Sequence, residues 1–144
     1  MAEPAAAYDR RPRLVADATV LAAALFSEAE HEQAAALLQA RALCAPHLVD
    51  YEIANVAVKK LRRERLPETA VLACLEAYAA LDLERHAVAV GPVVALAQRY
   101  QLPAYDAAYL WLAEHLEAPL ATFDTRLAEA AQRHLAGRPH AATP

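Results

Sequence analysis

The stretch Leu14-Val15-Ala16-Asp17-Ala18-Thr19 decides the reading of the fold. Three consecutive apolar residues make a strand-sized run, and an aspartate closes it just where a helical pattern, 19–26, begins. In a parallel sheet the ligand site lies beyond the carboxyl ends of the strands, which is where Asp17 would sit. Leu43-Cys44-Ala45-Pro46 is a second short apolar run, 83–86 a weaker third, and Pro119-Leu120-Ala121-Thr122 a fourth, ending two residues before Asp124. Between them lie helical patterns at 19–26, 30–41, 48–64, 67–81, 92–100, 103–117 and 125–135, with Gly91-Pro92 marking the start of the fifth. Short apolar runs alternating with longer helical segments predict β-α units around a small parallel sheet. An all-helical bundle is the competing reading, because the runs hold only three or four residues.

Composition bounds the rest. The chain has 144 residues, of which 58% are apolar, 22% are charged and 39 are alanine. A disordered chain needs low hydrophobicity and high net charge, so that class is excluded. Two glycines cannot write a glycine-rich phosphate loop. No apolar run approaches the roughly 18 residues of a membrane span, and no secretory signal pattern opens the chain, so a cytoplasmic protein without a membrane partner is expected. Cys44 and Cys74 lie in apolar surroundings outside any C-x-x-C, and the expectation is two buried thiols in a reducing compartment. A loose arm at 1–12, a domain at 13–136 and a tail at 137–144 divide the chain. The six histidines form no H-E-x-x-H, and the lone serine, Ser27, has no glycine elbow around it. Trp111, Tyr78 and Tyr109 stand at helical positions and read as core or interface rather than stacking platforms.

Four carboxylates stand out. Asp17 and Asp124 each follow a strand-sized run, where an aspartate also suits a helix N-cap. Glu52 lies in a helix that is apolar around most of its circumference and is therefore expected to be largely buried; Glu52, Asn55 and Lys59 form its narrow polar stripe. A carboxylate there needs a partner, a metal or a watered cleft. Asp106 falls in the first turn after Pro103, where the helix dipole favours an acid.

Taken in order, these segments resemble a known family. Leu14 to Thr19, Glu52-Ile53-Ala54-Asn55, Tyr105-Asp106-Ala107-Ala108-Tyr109 and Ala121-Thr122-Phe123-Asp124-Thr125-Arg126-Leu127 together resemble the motif set of PIN-domain ribonucleases, above all the VapC-type toxins of bacterial toxin–antitoxin pairs. The resemblance spans about residues 13 to 136. It implies a three-layer α/β/α domain, helix-rich, with a short central parallel sheet of four to five strands. It also implies that Asp17, Glu52, Asp106 and Asp124 gather in one acidic pocket, with Thr19 and Thr122 as hydroxyl neighbours. The arm before the first motif is longer than the pattern expects, and the usual last strand is not evident in 137–144.

Carboxylates packed together repel, and a hard divalent cation, Mg²⁺ or Mn²⁺, removes that penalty. The expected chemistry is metal-dependent hydrolysis of RNA, with the four acids as ligands and Thr19, Asn55 and Thr122 as supporting polar groups. The run Lys59-Lys60-Leu61-Arg62-Arg63 places Lys59, Lys60, Arg62 and Arg63 as candidate phosphate contacts. The resemblance adds tRNA or rRNA as the substrate class, a cognate antitoxin and a homodimer, with 19–26, 30–41 and 67–81 as partner surfaces. Two alternatives stay open: a non-catalytic helical interaction module, and an RNA-processing nuclease without an antitoxin. The net charge of −4 does not advertise a nucleic-acid partner, though net charge says nothing of local patches.

Overall fold

A computed structural model describes residues 11–136. In chain order the elements are β1 (Arg13–Ala16), α1 (Ala18–Leu25), α2 (His31–Leu38), β2 (Ala42–Pro46), α3 (Val49–Arg62), α4 (Glu68–Ala80), β3 (Leu83–His86), α5 (Val90–Tyr100), α6 (Ala104–Leu116), β4 (Leu120–Ala121) and α7 (Thr125–Leu135). The four strands form one parallel sheet in the order β3-β2-β1-β4. An all-helical bundle is thereby excluded. Most of the arm and the whole tail lie outside the described residues, and so does the fifth strand left open at 137–144.

The sheet is covered on both faces. Successive strand residues point to opposite faces, yet Leu14, Val15 and Ala16 are all fully buried. Helices α5, α6 and α7 pack with one another, and α6 also lies against β1, β2 and β4. Helix α1 packs against α2, α3 and α4, completing a three-layer α/β/α domain. Leu110, Leu112, Leu120, Leu127 and Leu135 fill the core beside Tyr109. The alanines explain how four short strands suffice: Ala107, Ala108, Ala113 and Ala131 are buried, and their small side chains let the helices approach closely.

Several sequence expectations are corrected here. Helix α3 is not largely buried. Its covered stripe is Val49, Ile53, Ala57 and Lys60, while Tyr51 is 78% exposed. The helix with most of its residues buried is α1 instead. Helix α2 stops at Leu38 rather than Arg41, and Ala40 turns left-handed with φ 59. Helix α5 begins at Val90, so Gly91 and Pro92 fall inside its first turn, a position that tolerates proline. Strand β4 keeps only Leu120 and Ala121, the two residues in register with Val15 and Ala16 of β1. Neither cysteine is in a disulfide; Cys44 is buried but Cys74 only partly so.

Lys60 is the clearest correction. It is 7% exposed, and its Nζ donates to Glu28 Oε2 and Glu64 Oε1, both at 3.2 Å. A cation so engaged is a structural link between α3 and the loop after α1, rather than a free surface cation, although it also lines the groove beside Glu52. Lys60→Ala should therefore destabilise the fold by about 2 kcal/mol in urea denaturation, less than a fully buried pair because both glutamates keep contact with water.

Candidate active site

The strand order places the site. From β1 the chain moves outward to β2 and β3, then returns to put β4 on the other side of β1. The crevice beyond the carboxyl ends of β1 and β4 is therefore the topological switch point, the usual ligand site of an open parallel sheet. Asp17 follows β1 directly, and Asp124 lies three residues after Ala121 at the end of β4. Backbone bonds from Val15 N to Pro119 O (3.0 Å) and from Asp17 N to Ala121 O (3.1 Å) fix the two turns side by side.

All four acids stand at helix N-termini. Asp17 caps α1 and Asp124 caps α7, while Glu52 and Asp106 lie in the first turns of α3 and α6. Each helix end offers a partial positive charge that offsets some of the mutual repulsion of the carboxylates. The capping and site readings of Asp17 and Asp124 are thus compatible in the same residues.

Asp17 is the most buried of the four. It is 5% exposed, and its Oδ1 accepts from Thr19 N (3.0 Å), Thr19 Oγ1 (2.5 Å) and Val20 N (3.2 Å). Its Oδ2 accepts from Thr122 Oγ1 at 2.5 Å. Each threonine is oriented in turn: Phe123 N donates to Thr19 Oγ1 (2.9 Å) and Asp124 N to Thr122 Oγ1 (3.0 Å). Two hydroxyls thereby tie the turn after β1 to the turn after β4. Burial pushes the Asp17 carboxyl upward, and these four hydrogen bonds pull against it.

Glu52 and Asp106 complete the set. Tyr109 OH donates to Glu52 Oε1 at 2.5 Å. Burial raises the Glu52 pKa, the Tyr109 bond opposes this, and the charges of Asp17 and Asp106 raise it further. Asp106 accepts no hydrogen bond among the described residues; burial and the charges of Asp124 and Asp17 push it up to about 6, against a small opposing effect of Arg126. The charges acting on Glu52 and Asp106 come from the other members of the set, Asp17 and Asp124 included. Arg126 adds a cation at its border, its guanidinium held by the carbonyl of Gln101.

The donor set is hard: carboxylate oxygens with hydroxyls behind them. Such a set suits Mg²⁺ or Mn²⁺ and would not suit a thiophilic ion. No three of these carboxylates bring ligand oxygens within 4.8 Å of one another, so the side chains as they stand do not form a closed metal cage.

Sequence reasoning missed two groups. Tyr109 reads as core, and its ring is buried, yet its hydroxyl is the direct partner of Glu52. The available signal was spacing: Tyr109 lies three residues after Asp106, on the same helix face. Asp50 is the second. Its carboxylate accepts from Tyr78 OH (2.5 Å) and Arg85 Nη2 (2.8 Å), with the Arg85 guanidinium holding its pKa below the usual range. That clamp anchors the first turn of α3, two residues before Glu52. Asn55 and Lys59 line one groove with Glu52 and Thr19, whereas Arg62 and Arg63 are exposed further along α3. Tyr109→Phe should lower turnover about tenfold with little change in stability, a split that parallel kinetics and thermal melts check.

The PIN domain family profile matches residues 14–133. A VapC ribonuclease of Mycobacterium bovis and ribonuclease VapC9 of Mycobacterium tuberculosis are each 37% identical over 124 residues, covering 83% of this chain and 91% of theirs. Ribonuclease VapC3 of Pyrobaculum aerophilum is 38% identical over 122 residues, covering 81% and 93%. The crystal structure of PAE2754 from Pyrobaculum aerophilum has the same fold, with a TM-score of 0.67 at 23% identity, covering 83% of this chain and 80% of the other. That of Mycobacterium tuberculosis VapC20, a sarcin–ricin-loop-cleaving toxin, gives a TM-score of 0.60 at 14% identity, covering 91% and 99%.

Proposed function

Because the chain belongs to the PIN-domain family, we propose that it is a VapC-type endoribonuclease whose active site is the acidic pocket of Asp17, Glu52, Asp106 and Asp124. PIN nucleases use divalent metal ions, and the ion proposed here is Mg²⁺ or Mn²⁺. One observation supports the assignment of the site: at the switch point of the sheet, Glu52 is raised by the charges of Asp17 and Asp106, and Asp106 by those of Asp124 and Asp17. Clustered acids of that kind are stable only with a cation or with protons.

A divalent ion held there supplies a Lewis acid for the scissile phosphate and acidifies a bound water. Asp17, fixed by four hydrogen bonds, provides a ligand oxygen whose position does not depend on the ion. Tyr109 occupies one oxygen of Glu52 and so turns the other toward metal or water. Asp106 offers both oxygens. Thr19 and Thr122 hold Asp17, and Asn55 lies beside Glu52 in the groove, placed to contact RNA. Lys59, Arg62 and Arg63 neutralise flanking phosphates. The substrate class is structured RNA, tRNA or rRNA, in the cytoplasm. An antitoxin and a second copy of the chain are the proposed partners, covering α1, α2 and α4, where Leu72 is 57% exposed.

Cleavage of total cellular RNA with and without Mn²⁺ tests this reading. Discrete fragments should appear with the metal and vanish with EDTA. Mn²⁺ at roughly ten times its Kd should also stabilise the protein by about 1.4 kcal/mol in a thermal melt. An absence of both effects in the wild type would sink the assignment.

A further inference from the structure

A second group of metal-binding side chains lies on the other half of the sheet. The parallel register sets Cys44 of β2 beside Glu84 of β3, and His86 follows Glu84 on the same face. One ligand atom from each of Cys44, Glu84 and His86 lies within 4.8 Å of the other two, the only such trio of His, Cys, Asp or Glu among the described residues.

The local chemistry points to a cation. His86 Nε2 is sealed from solvent and has no hydrogen-bond partner. Even so, Glu84 Oε1 lies 2.7 Å from it, out of line for a hydrogen bond. A buried ring nitrogen left without a hydrogen bond is unfavourable. A metal ion facing both atoms would satisfy each of them; without one, only a protonated imidazole makes the 2.7 Å approach to Glu84 an ion pair. Cys44 is 2% exposed and forms the floor, its Sγ 3.8 Å from Ala42 O. The Glu84 side chain is 60% exposed and forms the mouth through which an ion could enter.

Thiolate, imidazole and carboxylate are a mixed set of soft, intermediate and hard donors. Zinc accepts all three, whereas Mg²⁺ accepts neither sulfur nor nitrogen readily. We propose that Cys44, Glu84 and His86 form a zinc site, with solvent in the fourth position, separate from the acidic pocket in both place and metal preference. Binding would deprotonate the Cys44 thiol, release that proton to solvent, and pin β3 to β2, its only sheet neighbour among the described residues.

The test uses metal-free full-length protein titrated with Co²⁺ and then Zn²⁺. Wild type should develop a thiolate-to-cobalt charge-transfer band at one equivalent, and Zn²⁺ should abolish it. Cys44→Ser should lose the band, and His86→Ala should weaken Co²⁺ binding at least about tenfold. Cys74→Ser and Asp17→Asn should keep it. Circular dichroism of the metal-free variants reports folding, and His86→Ala, at a partly exposed position, carries the test if Cys44→Ser does not fold. No band in the wild type overturns the proposal. So does a band that survives Cys44→Ser but not Cys74→Ser, or Zn²⁺ stabilisation undiminished in His86→Ala. None of these readings depends on RNA cleavage, so the zinc site and the nuclease assignment fail independently.

Discussion

Asp17→Asn should reduce RNA cleavage by roughly a thousandfold while leaving the fold nearly intact, because removing a metal-ligating charge costs several kcal/mol in the transition state. The stability expectation follows from the hydrogen bonds. Oδ1 accepts from Thr19 N and Val20 N at the start of α1, and asparagine caps a helix about as well as aspartate. The opposite oxygen becomes an amide nitrogen facing Thr122 Oγ1, and a rotated hydroxyl can accept from it. The thermal melt should thus shift by no more than about 1 kcal/mol, and the response to Mn²⁺ should disappear. Asp17→Ala separates the two roles, since it removes the cap as well as the charge. A variant Asp17→Asn that cleaves RNA at the wild-type rate would remove Asp17 from the chemistry.

Asp106→Asn should lose cleavage to a similar degree, yet gain stability in metal-free buffer. Asp106 titrates at about 6, well above the 3.8 of an ordinary aspartate, through burial and the charges of Asp124 and Asp17. Between those two values the folded protein holds a proton that the unfolded chain has released. Stability must then fall as pH rises through that window and stay at the lower level above it. The asparagine variant loses the contribution of this residue, while Asp17 and Glu52, also raised, keep theirs, so its limb should be shallower. At pH 7.5 without metal it should be more stable by about 1 kcal/mol, a figure reduced for screening because the carboxylate is partly exposed. With saturating Mn²⁺ the order should reverse, since only the wild type gains from the ion. Melting curves at pH 4.5 and 7.5, with EDTA and with Mn²⁺, check all of these signs. A wild type whose metal-free stability rises from pH 4.5 to 7.5 would contradict the cluster of like charges.

Much of this was legible in the sequence, for physical reasons that differ by residue. Leu14-Val15-Ala16 and 83–86 read as strands because short apolar or β-compatible runs stood between unmistakable helices. Asp17 and Asp124 were visible because each followed such a run. The character of α3 was misread because periodicity records polarity, not what is available to cover a face. Tyr51 is apolar enough to suggest burial, but no element lies over it among the described residues. Lys60 reads in the sequence as one cation of a basic run, since only the packing of Glu28 from another segment reveals it as a buried link. The Asp50–Arg85–Tyr78 clamp joins three elements up to 35 residues apart, and no local pattern could announce it. Tyr109 shows the same limit on a smaller scale: its ring answers to the core and its hydroxyl to the site.

The pairing of β1 with β4 has a consequence for the life of the molecule. Thr122 reaches back across 105 positions to hold Asp17, so the first strand meets its last neighbour only when nearly the whole domain exists. Contacts of such long range form late and close a large loop. A growing chain on the ribosome therefore carries no assembled pocket until its final helices have emerged. Cleavage by the pocket would then have to wait for the pairing of β1 with β4.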